Sequence, residues 1–246
     1  MRIAYIVPGV GLDSQELERR REFLNRICSS GNQVNVLAVT EGPLSIESYY
    51  DEFISVPETL KLVADVEKRG YDAAVIGCYG DPGIDAAREL VRIPVVGPGE
   101  SSMLVACSLA EKFSIITILP NVLSGLRKQA RALGLETRLA SVRSIGIPVL
   151  ELRARFEEAK RAMIEEGRRA IEKDDAHGLI LGCMSEGFLG VAEEMSRNLG
   201  VPVVNPVKVS VKMAELLAGT QLTHSPLTYM KPPPKAKPEE ILAKRH

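Results

Sequence analysis

The amino-acid sequence predicts an α/β fold: two pseudo-symmetric α/β domains with mainly parallel sheets and a functional site in the cleft between them. Short runs rich in β-branched residues alternate with longer segments of 3.6-residue periodicity, which is the pattern of β-α-β units. A motif that recurs in both halves indicates two related units. The 246 residues are enough for two such domains. We predict a first domain at 1–98 plus 208–230, a second at 99–207, and a Pro-rich C-terminal tail at 231–246.

Eight strands and eight helices follow from this alternation. The strands are predicted at residues 2–7, 33–39, 73–77, 94–96, 114–118, 137–142, 178–182 and 202–204. The helices are predicted at residues 14–29, 58–69, 83–91, 101–111, 122–133, 151–174, 187–199 and 207–218. The helix at 151–174 is highly charged with a narrow apolar stripe, which is typical of a solvated helix that covers one edge of a sheet. Three prolines at 232–234 cannot continue a helix, so the segment from Pro226 to Pro238 is predicted to be an extended strap.

The recurring motif consists of a buried strand, a Gly-Cys pair at its carboxyl end, a helix, a short strand and a Pro turn. In the first copy, Ala-Val-Ile-Gly-Cys at 74–78 is followed by Ile-Pro-Val-Val-Gly-Pro at 93–98. In the second, Leu-Ile-Leu-Gly-Cys at 179–183 is followed by Val-Pro-Val-Val-Asn-Pro at 201–206. The two cysteines are 105 residues apart. A Gly-Cys pair at both strand ends predicts that the two halves are related.

Composition excludes several classes of partner and site. With 31 basic and 32 acidic residues, the chain has no basic excess that would neutralise nucleic acid or an anionic membrane. It contains no 18-residue apolar run, and Met1 to Val7 is predicted to be a strand rather than a signal peptide, so we expect a cytoplasmic protein. The four cysteines include no Cys-x-x-Cys pair, which argues against a zinc site or a disulfide framework.

Cys78 and Cys183 point to proton transfer. In open α/β sheets, ligands bind outside the carboxyl ends of the strands, where both cysteines stand. If the two halves pack face to face, each presents one sulfur to the cleft. Inversion of a stereocentre requires two such acid/base groups, because one removes a proton from the first face of the carbon and the other returns a proton to the opposite face.

The residues after each cysteine favour a reactive thiol. Asp81 and Pro82 are predicted as N-cap and first residue of the helix at 83–91, so that free amides of the loop face the cleft and favour a thiolate. A modest downward shift from the usual thiol pKa of about 8.5 would make the cysteine a base near neutrality. Ser185 is predicted as a cap or a hydrogen-bond donor to the substrate. Glu186 is predicted to raise the pKa of the neighbouring thiol, so that the two sulfurs rest in different protonation states.

Other cysteines and the histidines fit other roles. Cysteine is among the most buried residue types, and a packing role fits Cys28 and Cys107, which lie on predicted helices. We predict that no histidine carries the mechanism. Only His224 is expected near the cleft, if the strap crosses it.

The chain resembles the aspartate/glutamate/hydantoin racemases, and within them the hydantoin and allantoin racemase branch, over nearly its whole length. The segments that carry the resemblance are Gly77-Cys78-Tyr79-Gly80-Asp81-Pro82-Gly83 with Ala86-Ala87-Arg88-Glu89, Pro94-Val95-Val96-Gly97-Pro98-Gly99-Glu100, Leu181-Gly182-Cys183, and residues 42–52. The resemblance implies a two-thiol racemase without metal, pyridoxal phosphate or nucleotide, with a small-molecule substrate and usually an oligomeric assembly. Decarboxylases of the same superfamily keep one catalytic cysteine, so the pair favours racemisation.

The chain departs from the family pattern in the first loop, where Asn-Pro-Asn is usual and Val7-Pro8-Gly9 stands here. Backbone amides of Gly9 to Gly11 are predicted to substitute as donors. The resemblance implies catalytic roles for Cys78 and Cys183. The residues predicted to contact the substrate are Pro8, Gly9, Val10, Ser45, Tyr79, Gly80, Asp81, Glu100, Thr117, Met184 and Ser185.

We therefore expect a cofactor-independent racemase or epimerase of a hydantoin-type or amino-acid-derived substrate. Neither cysteine loop contains an Arg or Lys to bind a free carboxylate, the closest being Arg88, and this favours a neutral cyclic amide such as a hydantoin or allantoin. Three alternatives remain open: a racemase of free aspartate or glutamate, a non-catalytic small-molecule binding or regulatory protein of the same fold, and a redox-sensing cysteine pair.

Overall fold

Two four-stranded parallel sheets form the framework of the protein, which a computed structural model describes over residues 1–234. The strands are β1 (Arg2–Val7), β2 (Gln33–Ala38), β3 (Ala73–Ile76), β4 (Val95–Val96), β5 (Phe113–Thr117), β6 (Leu139–Ser144), β7 (Gly178–Leu181) and β8 (Val203–Val204). The first sheet has the order β2-β1-β3-β4 and the second the order β6-β5-β7-β8. The same order therefore recurs in each half of the chain, and the predicted α/β class with parallel sheets is confirmed.

Nine α-helices flank the sheets within residues 1–234. They are α1 (Ser14–Ile27), α2 (Tyr49–Lys68), α3 (Ile84–Leu90), α4 (Pro98–Leu109), α5 (Leu123–Ala132), α6 (Phe156–Asp174), α7 (Met184–Phe188), α8 (Ala192–Leu199) and α9 (Pro206–Gly219). None of these nine helices is both long enough and apolar enough to cross a membrane.

Three predicted helices differ from the structure by a division or by more than three residues at one end. The second helix begins at Tyr49 instead of 58, because Ser48 caps it by accepting a hydrogen bond from the amide of Asp51 at 3.2 Å, and Pro57 lies inside the helix. The predicted helix at 187–199 is divided into α7 and α8, because Gly190 between them has a φ of 74°, which a continuous right-handed helix cannot contain. The predicted helix at 151–174 begins only at Phe156, after a 3-10 turn at Val149–Glu151.

Helix α9 returns the chain to the first sheet after the second sheet is complete. Its buried residues Val207, Val211 and Ala214 belong to the same apolar core as Ile3 and Tyr5 of β1. Asn205 caps this helix by accepting hydrogen bonds from the amides of Val207 at 3.0 Å and Lys208 at 3.3 Å. The exact domain bounds stay a prediction.

The segment 220–230, which contains His224 and the start of the predicted strap, covers the outer edge of β4 instead of the cleft. Residues 226–228 form a turn rather than the predicted extended chain, because the amides of Thr228 and Tyr229 donate to the carbonyl of Ser225 at 3.1 and 2.9 Å. The imidazole Nε2 of His224 accepts a hydrogen bond from the amide of Val95 at 2.8 Å, which satisfies a donor on this edge strand. Arg88 donates to the hydroxyl of Tyr229 at 3.1 Å. His224 therefore does not reach the cleft. Residues 231–234 of the predicted tail are exposed and have no regular secondary structure, and 235–246 lie outside the described residues.

We expect His224 to make the stability of the protein depend on pH. Partial burial and the charge of Arg88 lower its pKa from 6.5 to about 4. Between these values the unfolded chain binds a proton that the folded chain does not, so the free energy of unfolding falls as the pH decreases from 6.5 towards 4. His224→Gln keeps an acceptor for Val95 but does not titrate. Urea unfolding at pH 7.5 and 5 is expected to show a loss about 1 kcal/mol smaller in this variant than in the wild type, allowing for solvent screening.

The matched control is His177→Gln, which replaces a histidine whose side chain is 46% exposed. Equal losses on acidification in the wild type and in both variants would contradict the assignment to His224.

Candidate active site

A cavity of about 380 Å³ lies at the carboxyl ends of both sheets. Its walls include residues that follow β1 and β3 in the first sheet and β5 and β7 in the second. These are the two central strands of each sheet, where the strand order reverses. The cavity brings together ten of the sequence-predicted residues, namely Pro8, Gly9, Ser45, Cys78, Tyr79, Gly80, Thr117, Cys183, Met184 and Ser185. Val10, Asp81 and Glu100 are not among the residues that line it.

The glycine before each cysteine is required by the neighbouring central strand. The amide of Gly77 donates to the carbonyl of Ile6 at 2.7 Å, and the amide of Gly182 donates to the carbonyl of Ile116 at 2.6 Å. A Cβ at Gly77 would lie 2.6 Å from the Ile6 carbonyl oxygen, and one at Gly182 would lie 2.5 Å from Cγ2 of Ile115. Both cysteines are thus the second residue after equivalent strands, which is the structural basis of the repeated Gly-Cys pair.

The environment of the cavity raises the pKa of both thiols. Burial raises the pKa of Cys78 well above its usual value, against the effect of the amide of Gly80, and the charge of Cys183 raises it further. Burial and the carboxyl of Glu186 raise the pKa of Cys183 to about 12, while the amides of Glu186 and Ser185 and the charge of Arg20 act in the opposite direction. The expected downward shift of the thiol pKa is therefore wrong, because loss of solvation outweighs the amides.

The prediction that Asp81 caps the helix after Cys78 is wrong, because its side chain caps the start of α4 instead. Its own φ is 53°, and α3 begins only at Ile84 after a left-handed Gly83. The carboxylate accepts hydrogen bonds from the amides of Gly99 at 2.9 Å and Glu100 at 2.8 Å. The Cys78 loop is therefore held against the first turn of the helix that leads into the second sheet.

Two other predicted contact residues also point away from the cavity. Glu100 accepts a hydrogen bond from Nη2 of Arg88 at 2.6 Å, a pair that lies beside the strap. The amide of Val10 donates to the carbonyl of Pro43 at 2.9 Å, and the side chain of Val10 is 36% exposed. Arg88, the basic residue nearest to the cysteine loops in the sequence, is thus engaged elsewhere.

Sequence reasoning missed several polar residues that line the cavity, among them Arg20, Glu52, Lys128 and Gln129. Arg20 was recognisable in part, because it shares the inward face of α1 with Leu17 and Leu24 at helical spacing. Burial raises the pKa of Glu52 above its usual value. Within residues 1–234, no group of three or more His, Cys, Asp and Glu side chains is arranged to hold a metal ion.

Comparison with known proteins identifies the family. The family model for Asp/Glu/Hydantoin racemase matches residues 20–214, which include both cysteine loops and both sheets' central β3 and β7 strands. The chain belongs to the Asp/Glu/hydantoin racemase family. It is an isomerase of the racemase type, in agreement with the relatives described next.

Close relatives of this racemase span almost all of it. It is 38% identical over 206 residues to the hydantoin racemase of Pseudomonas sp. (strain NS671), covering 84% of this chain and 82% of that one. It is 33% identical over 240 residues to the hydantoin racemase of Paenarthrobacter aurescens, covering 96% and 99%. Among solved structures, the allantoin racemase from Klebsiella pneumoniae has a TM-score of 0.89 and 32% identity, with 96% of each chain covered.

Glu186 is a buried carboxyl group directly behind Cys183 in this racemase. It has no exposed surface, and neither of its oxygens has a hydrogen-bond partner among residues 1–234. Burial raises its pKa well above the usual value; the nearby amides of Cys183 and Gly182 oppose this without reaching full hydrogen-bond geometry. The carboxyl therefore keeps its proton to a higher pH than an exposed one does, and its unpaired oxygens reduce the stability of the fold.

Glu186→Met is expected to raise the free energy of unfolding by about 1–3 kcal/mol at pH 8, because it removes two unpaired buried oxygens at similar volume. Above the usual pKa of 4.5 the unfolded chain releases a proton that the folded chain retains, so wild-type stability declines as the pH rises. Urea unfolding at pH 5 and 8 should therefore show a larger loss of stability at pH 8 in the wild type than in Glu186→Met. Glu22→Met, at an exposed position on α1, is the control and should stay within about 0.5 kcal/mol of wild type. A Glu186→Met protein less stable than this control would contradict the prediction.

Proposed function

We propose that this racemase inverts a carbon-acid stereocentre of a hydantoin-type or amino-acid-derived substrate, with Cys78 and Cys183 as the two bases and no cofactor. The observation that supports this most directly is that the two thiols follow equivalent strands of like-ordered sheets and line one cavity. Each half thus presents one acid/base group, as inversion at a carbon between them requires.

The chemistry needs one thiolate and one thiol. The thiolate removes the proton on one face of the reacting carbon, and the C–H electron pair moves into an enolate conjugated with the neighbouring carbonyl. The thiol on the other face then donates its proton to the carbon, and it becomes the thiolate. The two cysteines exchange protonation states in each turnover, so the reverse reaction begins from the product state.

Hydantoins are the substrate class we favour, since the relatives that are 32–38% identical to the chain over at least 84% of its length include two hydantoin racemases and an allantoin racemase. The carbonyl next to the ring carbon acidifies its proton, which suits a thiol base. Much of the cavity wall is apolar, with Leu12, Leu44, Ile46 and Leu150 among its residues, and this suits the substituent of a 5-substituted ring. A small-molecule ligand and a homo-oligomeric assembly stay predictions.

A panel of single enantiomers tests the proposal. Purified protein is incubated in deuterated water with 5-substituted hydantoins, allantoin, aspartate and glutamate, and polarimetry is combined with mass measurement of the exchanged carbon-bound hydrogen. Loss of optical rotation with deuterium incorporation on a hydantoin is the expected result. Binding without exchange on every compound would favour the non-catalytic binding protein instead. Reversible loss of both thiols on oxidation, with no exchange on any compound, would favour the redox pair.

The racemisation rate is expected to rise about tenfold between pH 7 and 8. Both thiols have raised pKa values, so the thiolate fraction increases tenfold for each pH unit below them. The measurement is the initial rate at saturating substrate, with circular dichroism at each pH to verify the fold. A rate that is flat over this interval would show that the working base has already lost its proton at pH 7.

A further inference from the structure

Arg20 brings a buried positive charge to the wall of the cavity that carries Cys183. It lies on the buried face of α1, has 4% of its surface exposed, and lines the cavity. Its Nη2 donates a hydrogen bond at 2.8 Å to Oγ of Ser185, the second residue after Cys183. A guanidinium shielded from water in this way attracts anionic oxygen more strongly than an exposed one.

The guanidinium is held in place and still has donors to offer. Its Nε donates to Oε1 of Glu16 at 2.9 Å, and its central carbon lies 4.6 Å from the ring centroid of Phe188. Arg19 binds the same carboxylate through two hydrogen bonds, and Nε of Arg153 lies 4.0 Å from it, so Glu16 is shared between three cations. Nη1 of Arg20 donates to no acceptor within residues 1–234. A ligand oxygen in the cavity can therefore be bound without displacing the present contacts.

Neither the first loop, Thr117 nor Lys128 brings a buried cation to the cavity. The first loop, Val7-Pro8-Gly9, lines the cavity without a polar side chain. The hydroxyl of Thr117 donates to the carbonyl of Gly182 at 3.1 Å. Lys128, the other basic residue among the described residues that line the cavity, is exposed on α5 and lies 4.8 Å from the ring centroid of Tyr49.

The geometry points to Arg20 as the residue that binds the acyl oxygen next to the reacting carbon of the substrate, on the Cys183 side of the cavity. The inference rests on the proposed two-thiol chemistry. When the C–H electron pair moves into the enolate, negative charge develops on this oxygen, and it disperses again when the second thiol returns a proton to the carbon. A fixed cation at this point stabilises the enolate more than the neutral substrate. The site thus selects carbon acids whose reacting carbon bears a carbonyl or carboxylate oxygen.

Alkylation of Cys183 tests the charge without any substrate. The rates of modification by iodoacetate and by neutral iodoacetamide are measured by peptide mass spectrometry. Both reagents need the same thiolate, so their ratio cancels the effect of the thiol pKa. We expect the iodoacetate to iodoacetamide ratio at Cys183 to fall about tenfold in Arg20→Gln and to be retained in Arg20→Lys. Arg19→Gln, which also loses a bond to Glu16 but does not line the cavity, should keep the wild-type ratio.

An unchanged ratio in a folded Arg20→Gln protein would overturn the inference. If this variant does not fold, the wild type alone tests the inference. Its iodoacetate to iodoacetamide ratio at Cys183 must then exceed its ratio at Cys107, which lies outside the cavity. On a hydantoin that the wild type racemises, Arg20→Gln should lower kcat about 10²-fold with a smaller change in KM, and Arg19→Gln should not. An equal loss of kcat in both variants would also overturn the inference. If the wild type racemises no compound, the proposed function fails while the alkylation ratio still tests Arg20.

Discussion

Replacement of either Cys78 or Cys183 by serine is expected to reduce inversion of the substrate by about 10³-fold. Serine retains the size of cysteine and a hydroxyl, but its proton is far less acidic, so it cannot act as the base or return a proton efficiently. The two cysteines serve opposite faces of the carbon. Each single variant should therefore keep measurable exchange of the carbon-bound hydrogen only for the enantiomer whose hydrogen faces the remaining thiol. Chiral chromatography and deuterium incorporation, starting from each pure enantiomer, measure both quantities.

The matched control is Cys107→Ser, because Cys107 is a partly buried cysteine on α4 that packs against the apolar core and does not line the cavity. It should racemise like the wild type. Full inversion by Cys78→Ser or by Cys183→Ser would mean that one of the two sulfurs is not a base. Equal loss of exchange for both enantiomers in both variants would contradict the assignment of the two thiols to opposite faces of the carbon.

Gly99→Ala is expected to lower the free energy of unfolding by about 3 kcal/mol and to lower activity as well. A Cβ at Gly99 would lie 2.2 Å from the carbonyl oxygen of Tyr79 and 2.4 Å from Nε2 of Gln129. The first of these is backbone in the Cys78 loop, and it cannot move without shifting the thiol. A displacement of about 1 Å at a catalytic group costs about 10²-fold in rate. Urea unfolding and the racemisation rate on one substrate measure the two effects.

Gly125→Ala on α5 is the control for stability, since the nearest atom to its added Cβ is Cε1 of Tyr49 at 3.6 Å, an ordinary contact. Alanine is the better helix former, so this variant should be at least as stable as the wild type. If Gly99→Ala unfolds at the same urea concentration as Gly125→Ala, the close approach of α4 to the Cys78 loop does not limit stability.

The fold was largely accessible to sequence reasoning because its signals are local. Each of the eight predicted strands corresponds to an observed strand, since buried parallel strands are continuous apolar runs bounded by polar or turn residues. Helix bounds were less accessible. The start of α2 depends on the cap at Ser48. Pro57 lies inside this helix, although proline usually indicates a helix end in the sequence.

The same difference between local signals and contacts distant in the sequence applies to the site. The loops after β1, β3, β5 and β7 were predictable as its walls, because the carboxyl ends of parallel strands meet at one edge of a sheet. Asp81 was misplaced because its partners, the amides of Gly99 and Glu100, lie 18 and 19 residues further along the chain and compete with the local capping role. Glu100 forms an ion pair with Arg88 instead of lining the cavity, and no rule of sequence spacing predicts this pair.

The sequence by itself determined the α/β class, the repeat and the pair of Gly-Cys motifs, because periodicity and repeated motifs follow directly from the order of residues along the chain. Only the tertiary structure decided how charge is distributed around the two sulfurs. Arg20 and Ser185 are 165 residues apart, and their contact exists only because α1 and α7 pack at the same edge of the cavity. The raised pKa values of both thiols are likewise a consequence of burial, which depends on how the two halves pack around the site.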